Sequence, residues 1–303
     1  MDLLTMASAL WLETHTLKLS DLELIVKHKI YNEKDWFGVL SNQALKDYLR
    51  SHPHWQQEDK KQIDQLYKHK ISYVNYFSED YPESLLNIDS PPLFFTYIGS
   101  IQALQNPSLT VVGTRDPSLD ACHWLETYFY QLVKTYKITV VSGAAIGIDQ
   151  MAQSIATYCK CPTVAILPSG LGNVYPQCFE KQIEEILSTR GAVVSEYPFL
   201  QAMRKHHFYQ RNRLIACLGM ALLVVEAKRK SGSLITAKYA LEMGRDVMVI
   251  PSSPFEKNRL GTLDLLFDGA LPVRDTFDLV GYLEPNLTKS KKSDNHEQCI
   301  RNP

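Results

Sequence analysis

The spacing of hydrophobic residues changes along the chain near residue 100. In the first part, apolar residues recur at intervals of three and four positions, which predicts short amphipathic helices. We therefore predict a small helical domain over residues 1–70. Aromatic residues and prolines follow over 71–107, a composition that is typical of an ordered connector. The predicted helices cover residues 3–11, 22–28, 36–40, 44–49 and 58–67.

From residue 108 the apolar residues form short continuous runs that are rich in β-branched side chains. A small or glycine-containing loop follows each run, usually with a helical stretch next, which is typical of βαβ units. Strands of this kind are covered on both faces, as in parallel sheets. We predict a Rossmann-like, doubly wound, mainly parallel α/β domain over 108–282 and a disordered polar tail over 283–303. The predicted strands are 109–112, 138–141, 163–167, 192–194, 221–225 and 246–250.

Composition and charge exclude several classes of protein. Hydrophobic residues make up 45% of the 303 residues and charged residues 21%, which excludes extensive disorder and low-complexity architectures. The formal net charge is −1, so a site for a polyanion has to be a local patch. The chain has no early basic residues of a signal peptide and no apolar run of about 18 residues. Its six cysteines lack zinc spacing. These features predict a cytoplasmic protein without a membrane segment or a metal.

Glycine- and serine-rich loops follow the predicted strands. Ligands of open α/β sheets bind outside the carboxyl ends of the strands, and glycine loops at helix starts offer backbone N–H groups to phosphate. One such loop is weak evidence, because every βαβ fold needs glycines at its turns, but several loops at one edge favour an anion site. The chain contains neither a dinucleotide fingerprint nor a P-loop, so no cofactor is predicted. The loop residues expected to contact phosphate are Gly113, Thr114, Ser142, Gly143, Gly147, Ser231, Gly232 and Ser233.

Basic residues cluster between residues 201 and 230. This segment has seven lysines and arginines against a single acid, Glu226, and aromatic residues stand among the cations. Such a pattern is typical of single-stranded DNA sites, where cations follow the backbone and rings stack on bases. Arg211 and Arg213 lie just before an apolar stretch, near a predicted helix start. Two alternatives stay open: Phe208 could equally be a core residue, and some of the basic residues at 228–230 could form a solvated surface.

Taken together, these loops resemble the DNA-processing protein A family, also called DprA or Smf, from about residue 80 to 282. The resemblance implies a Rossmann-like domain that binds single-stranded DNA in a basic pocket, forms a homodimer and has the recombinase RecA as a partner. In the family, the protein receives and protects incoming DNA during natural transformation and helps to load RecA onto it, so the implied activity is binding rather than catalysis. The motifs that carry the resemblance lie at 81–85, 91–94, 111–115, 140–149, 175–176, 195–198, 208–215, 224–227, 231–237 and 269–270.

The resemblance also assigns residues to the pocket. The family's pocket cations correspond to Arg115, Lys205, Arg211 and Arg213, and Asn212 stands between the last two. Ile146 occupies a position where the family usually has arginine, so the second glycine loop offers amides but no charge here.

Two other functions are consistent with the same residues. Rossmann-like nucleotide phosphoribohydrolases also carry an acid at a strand end, and Glu196 or Glu226 would be the catalytic carboxylate. However, the chain lacks their P-G-G-x-G-T-x-x-E loop. A protein whose basic loop binds an acidic partner is the other alternative. The amphipathic stretch at 260–267 is a candidate dimer helix, although ordinary core packing explains it as well.

Overall fold

The structure is a computed structural model that describes residue 61 and residues 64–76, 78–86, 88–92 and 94–284. The described residues form a nine-stranded sheet with helices packed on its two faces. The strands in chain order are β1 (Ser72–Asn75), β2 (Phe94–Gly99), β3 (Ser108–Val112), β4 (Thr139–Ser142), β5 (Thr163–Ile166), β6 (Ala192–Ser195), β7 (Ala221–Val224), β8 (Asp246–Val249) and β9 (Leu271–Pro272).

The helices lie mainly in the connections between these strands. A π-helical segment, Leu125–Phe129, joins α2 to α3, and residues 276–284 form a further helix. The numbered helices are α1 (Glu83–Leu86), α2 (Leu119–Trp124), α3 (Tyr130–Tyr136), α4 (Ile148–Tyr158), α5 (Glu180–Ser188), α6 (Lys205–Leu218), α7 (Gly232–Glu242) and α8 (Leu260–Phe267). Short 3-10 turns occur at Ile101–Leu104, Gln177–Phe179 and Lys257–Arg259.

The strand order is β1-β2-β6-β5-β4-β3-β7-β8-β9. The pairs β1/β2 and β2/β6 are antiparallel, whereas all other neighbouring strands pair in parallel. This confirms the predicted Rossmann-like, mainly parallel sheet. The six predicted strands correspond to β3 through β8, while β1, β2 and β9 come as additions at the two sides of the sheet.

Both faces of the central strands are buried, as the continuous apolar runs predict. Leu109 and Val111 of β3 pack in one core with Phe129 and Ile148, whereas Val112 lies in the core on the opposite face. All five residues of β3 are buried. Because successive side chains of a strand point to opposite faces, a strand with helices on both faces must be apolar throughout.

The two halves of the sheet diverge between β3 and β7. The chain leaves β3 toward β4 on one side, and it leaves β7 toward β8 on the other side. The loops that follow these neighbouring strands therefore separate and leave a crevice at their carboxyl ends. In open α/β sheets this is the place where ligands bind.

Three predicted segments are described only in part or differ from the prediction. Of the helical domain predicted over 1–70, only residues 61 and 64–70 are described, and residues 64–68 are helical. The connector predicted over 71–107 is part of the sheet, because it forms β1, α1 and β2. The last helix continues to residue 284, two residues into the predicted tail, and the rest of that tail lies outside the described residues.

Candidate functional site

A cavity of about 230 Å³ lies in the crevice between β3 and β7. Three elements form most of its wall: the loop after β3, the middle of α6, and the β7–α7 loop with the first turn of α7. The lining residues are Val112, Gly113, Thr114, Arg115, Ala145, Asp149, Phe208, Arg211, Asn212, Ile215, Lys228, Ser231, Gly232, Ser233 and Thr236. Segments more than 100 positions apart in the chain thus meet at one site, as the prediction from strand ends requires.

Two glycines allow the loop after β3 to pack closely against the start of α4. Gly147 has a φ of +92°, and a Cβ atom there would lie 2.5 Å from the carbonyl oxygen of Thr114. A Cβ atom on Gly113 would lie 2.6 Å from Cγ1 of Ile148. Side chains at these positions would push the loop away from α4, so both glycines shape the cavity through backbone packing.

Two backbone N–H groups of the loop between β4 and α4 are bonded within the chain. Oδ2 of Asp149 accepts hydrogen bonds from the backbone N–H groups of Gly143 and Ala145, at 3.1 and 3.4 Å. The hydroxyl of Ser142 donates to the carbonyl of Val111 at 2.7 Å. Ser142, Gly143 and Gly147 are also absent from the cavity lining. The N–H groups of Gly143 and Ala145 are therefore already bound by a carboxylate of the chain itself.

Arg211 places a buried positive charge at the cavity. Its Nη1 donates to the carbonyl of Gly143 at 2.5 Å and also to the carbonyl of Ile166. Burial lowers the pKa of Arg211 to about 10, and the nearby carboxylate of Asp149 opposes that shift. Burial raises the pKa of Asp149, which the charge of Arg211 opposes in turn. Since its pKa stays well above 7, Arg211 is a fixed cation at neutral pH.

Arg115 is an exposed cation of the cavity, as is Lys228. Its Cζ lies 5.1 Å from the ring centroid of Phe208, while Cζ of Arg211 lies 5.9 Å from the same centroid. The ring of Tyr175 meets Phe208 edge-on at a centroid distance of 5.7 Å. In the described part of the chain, no carboxylate lies within ion-pair distance of Arg115 or of Lys228. The charges of Arg115 and Lys228 are therefore available to an anion.

Side-chain hydrogen bonds fix the start of α7 next to these cations. The hydroxyl of Ser233 donates to the carbonyl of Gly113 at 3.0 Å, and Nδ2 of Asn212 donates to the carbonyl of Gly232 at 3.2 Å. The first N–H groups of a helix have no intrahelical partner and carry a partial positive charge. Because Gly232 and Ser233 line the cavity, the start of α7 adds to its positive potential.

The structure brings Arg115 and Arg211 together but leaves two other predicted cations outside the lining. Arg213 forms a buried ion pair with Glu196. Arg211 and Arg213 lie in the middle of α6, not near its start, and residues two positions apart on a helix do not share a face. Lys205 is exposed in the first turn of α6, three positions before Phe208, and so extends the face of α6 that carries Phe208 toward solvent.

Both carboxylates of the enzyme alternative have structural partners. Oε2 of Glu226 accepts from the backbone N–H and the hydroxyl of Ser118, at 3.1 and 2.7 Å. Nε of Arg259 lies 3.4 Å from the same oxygen. Glu226 and Glu196 are buried, and neither lines the cavity. They hold loops together at the strand ends rather than facing a substrate.

Two lining residues were weighed differently from sequence. A solvated surface stayed open for the basic residues at 228–230, and the structure places Lys228 in the cavity lining. Phe208 was weighed as a core residue, yet it lies half-buried at the cavity between two guanidinium groups. Both residues could have been assigned to the site from sequence, because each stands next to predicted cations.

The described residues contain no group of three His, Cys, Asp or Glu side chains that is arranged to hold a metal ion. Within the same residues, every helix is too short or too polar to cross a membrane.

The described residues thus form a doubly wound, Rossmann-like sheet with a cationic cavity at its switch point. The model of the DNA recombination-mediator protein A family matches residues 72–284. The chain therefore belongs to this family, whose named relatives are called DprA and Smf. This confirms the resemblance drawn from the loop motifs.

Individual relatives agree with that assignment. Protein Smf of Synechocystis is 40% identical over 195 residues, which cover 63% of this chain and 48% of the relative, so the chain spans about half its length. The crystal structure of DNA processing protein A from Streptococcus pneumoniae is similar at a TM-score of 0.76 and 28% identity, covering 92% of this chain and 98% of that one. The corresponding protein of Helicobacter pylori is similar at a TM-score of 0.63 and 26% identity, covering 71% and 96%.

Proposed function

We propose that this protein binds single-stranded DNA through the cavity between β3 and β7. The observation that carries the proposal is the unpaired guanidinium of Arg115 beside the buried charge of Arg211 and the first turn of α7. Three sources of positive potential thus converge in a protein whose net charge is −1. Such a local field recognises a polyanion without attracting anions to the whole surface. The relative from Helicobacter pylori binds single-stranded DNA, which supports the proposal.

Each group has a distinct part in the proposed complex. Arg115 and Lys228 contact phosphate oxygens at the mouth of the cavity, and Lys205 contacts the next phosphate outside it. Arg211 remains fixed by its two carbonyl partners and acts through its field. Backbone N–H groups of Gly232 and Ser233, together with the side chains of Ser231 and Asn212, donate hydrogen bonds.

The size of the cavity favours a single strand over a duplex. A volume of about 230 Å³ between three loops admits a phosphate with part of its nucleotide, whereas paired bases are held inside a rigid helix. A flexible strand can bring successive phosphates and unstacked bases to a small concave site. Because the proposed contacts are made to the backbone, the affinity is expected to depend little on base sequence.

The wider role follows from the family. We propose that the protein acts in DNA processing, receives and protects single strands during natural transformation, and helps RecA to assemble on them in the cytoplasm as a homodimer. The proposed activity is binding without turnover. It is supported by membership of the recombination-mediator family and by relatives that carry the name DNA processing protein.

The binding proposal is tested by fluorescence anisotropy with labelled oligonucleotides. A mixed-sequence single strand should bind more tightly than the same sequence as a duplex, and changing its sequence should have little effect. Addition of salt should weaken binding steeply. A preference for duplex would contradict the proposal. An acidic partner protein would be indicated if labelled poly-glutamate bound tightly and an excess of unlabelled oligonucleotide did not displace it.

The proposed role with RecA is tested separately. RecA filament assembly on a single strand coated with single-stranded-DNA-binding protein should start faster in the presence of this protein. The Arg115→Ala variant is the matched control, since it should keep its fold but lose the acceleration. Equal assembly rates with and without the wild-type protein would contradict the RecA role while leaving DNA binding intact.

A further inference from the structure

A second basic surface lies at the opposite ends of the parallel strands. We call it the amino-end patch, and it consists of Tyr130, Lys134, Lys137, Tyr158 and Lys160. The helices α3 and α4 end at Tyr136 and Tyr158, directly before β4 and β5 begin. The patch therefore lies at the amino ends of these strands, whereas the cavity lies near the carboxyl ends of their neighbours.

Direct contacts hold the patch together. The rings of Tyr130 and Tyr158 lie 6.1 Å apart, and Nζ of Lys134 lies 5.3 Å from the ring centroid of Tyr130. Nζ of Lys137 donates to the carbonyl of Cys159 at 3.0 Å, which places Lys137 beside Lys160. Tyr158 is 78% exposed, so its ring is open to a ligand.

The patch carries uncompensated positive charge. Between residues 127 and 179 the sequence has a single acid, Asp149, which is buried beside the cavity. In the part of the chain that the structure describes, no carboxylate lies within ion-pair distance of Lys134, Lys137 or Lys160. Unpaired lysines next to an exposed aromatic ring match the two groups of a single nucleic-acid strand, its phosphates and its bases.

Helix α4 connects the patch to the cavity. Its first turn contains Asp149, which lines the cavity, and its last residue is Tyr158 of the patch. With 11 residues the helix spans roughly 16 Å. Neighbouring α5 exposes Glu180, Glu184 and Glu185, and would repel a strand on that side of α4. On the side of α4 that faces α3, the π-helical segment before α3 exposes one acid, Glu126, and this side leads to the three lysines.

We propose that the amino-end patch is a second contact surface for the single strand that occupies the cavity, reached along α3 and α4. This inference rests on the proposed function and extends it, because the site then has two separated regions of phosphate contact. Affinity should consequently grow with oligonucleotide length beyond what the cavity alone accommodates.

The test compares a short and a long oligothymidylate, of about 3 and about 20 nucleotides, with the double variant Lys134→Gln/Lys160→Asn. Asparagine suits position 160 because the backbone there has a φ of +56°. Each phosphate contact of a single strand contributes about 0.7 to the salt slope, so the long oligonucleotide should lose about 1.4 units of slope. At about 0.15 M salt this corresponds to an affinity roughly tenfold lower. Binding of the short oligonucleotide should not change.

A matched control removes two lysines elsewhere. The Lys68→Gln/Lys70→Asn variant lowers the net charge equally, and Lys70 has a similar φ of +55°. It should bind both oligonucleotides like the wild type. Tyr158→Ala should weaken only the long oligonucleotide, about fivefold or more, and Tyr158→Phe should restore it.

The outcomes separate this inference from the proposed function. If the wild type binds neither oligonucleotide, the proposed function fails. If Arg115→Ala weakens both but the Lys134→Gln/Lys160→Asn variant weakens neither, the patch proposal is overturned while the cavity stands. Unchanged DNA binding with loss of binding to poly-glutamate would assign the patch to an acidic protein and would overturn the proposal as well.

Discussion

Replacement of Arg213 by methionine should destabilise the protein without weakening its affinity for DNA. Arg213 and Glu196 form an ion pair in which the side chains are 10% and 3% exposed. Removing the arginine leaves a buried carboxylate without its partner, which costs about 3–5 kcal/mol. For a domain of about 200 residues, each kcal/mol shifts the melting temperature by about 2–4 °C. The expected fall is therefore about 6–20 °C.

Urea unfolding followed by circular dichroism measures the free energy of unfolding, and anisotropy at low temperature measures the affinity of the folded variant. The Glu196→Leu/Arg213→Met variant is the control. Removing both charges avoids the stranded carboxylate, so the double variant should be more stable than Arg213→Met alone. A loss below about 1 kcal/mol, or a flatter salt slope for DNA binding in Arg213→Met, would refute the assignment of Arg213 to the interior.

Three further predictions concern two residues near the cavity and the need for a metal. Arg211→Met should lower both stability and affinity, because it removes a cavity charge and leaves two backbone carbonyls unpaired, each at a cost of about 1–3 kcal/mol. Normal DNA binding by this variant would contradict the role of Arg211 at the cavity. Urea unfolding should show a larger loss of stability for Gly147→Ala than for Gly244→Ala. Both glycines have a positive φ, but only at Gly147 would a Cβ atom meet another backbone segment. Equal losses in the free energy of unfolding would contradict the close packing at Gly147. Treatment with EDTA should leave DNA binding unchanged. A loss of binding that one divalent metal restores would show that DNA binding requires that metal.

The central strands could be predicted from sequence because burial on both faces leaves an unbroken apolar run. The strands β1 and β2 could not, because their aromatic and proline-rich surroundings are equally typical of a connector. What makes β2 a strand is its pairing with β6, in which Thr96 lies opposite Ser195. That pairing joins segments 99 positions apart, and local periodicity contains no information about it.

The site residues that follow strand ends could be predicted from sequence. The directions of the side chains on α6 could not, because they depend on where the helix begins. Arg115 directly follows β3, so the topology alone places it at the crevice. Arg211 and Arg213 differ in direction only because α6 begins at Lys205, earlier than the apolar stretch indicated. The backbone N–H of Gly143 was expected to be available to phosphate, because sequence does not reveal that Asp149 accepts a hydrogen bond from it.

The most direct test of the account is the salt dependence of single-stranded DNA binding in Arg115→Ala and Lys205→Ala. Both side chains are exposed, so thermal melts of the two variants should match the wild type. If each cation contacts one phosphate, each replacement should weaken binding and flatten the salt slope by about 0.7 of a unit. Wild-type affinity and slope in both variants would contradict the account and would mean that DNA does not bind at this cavity.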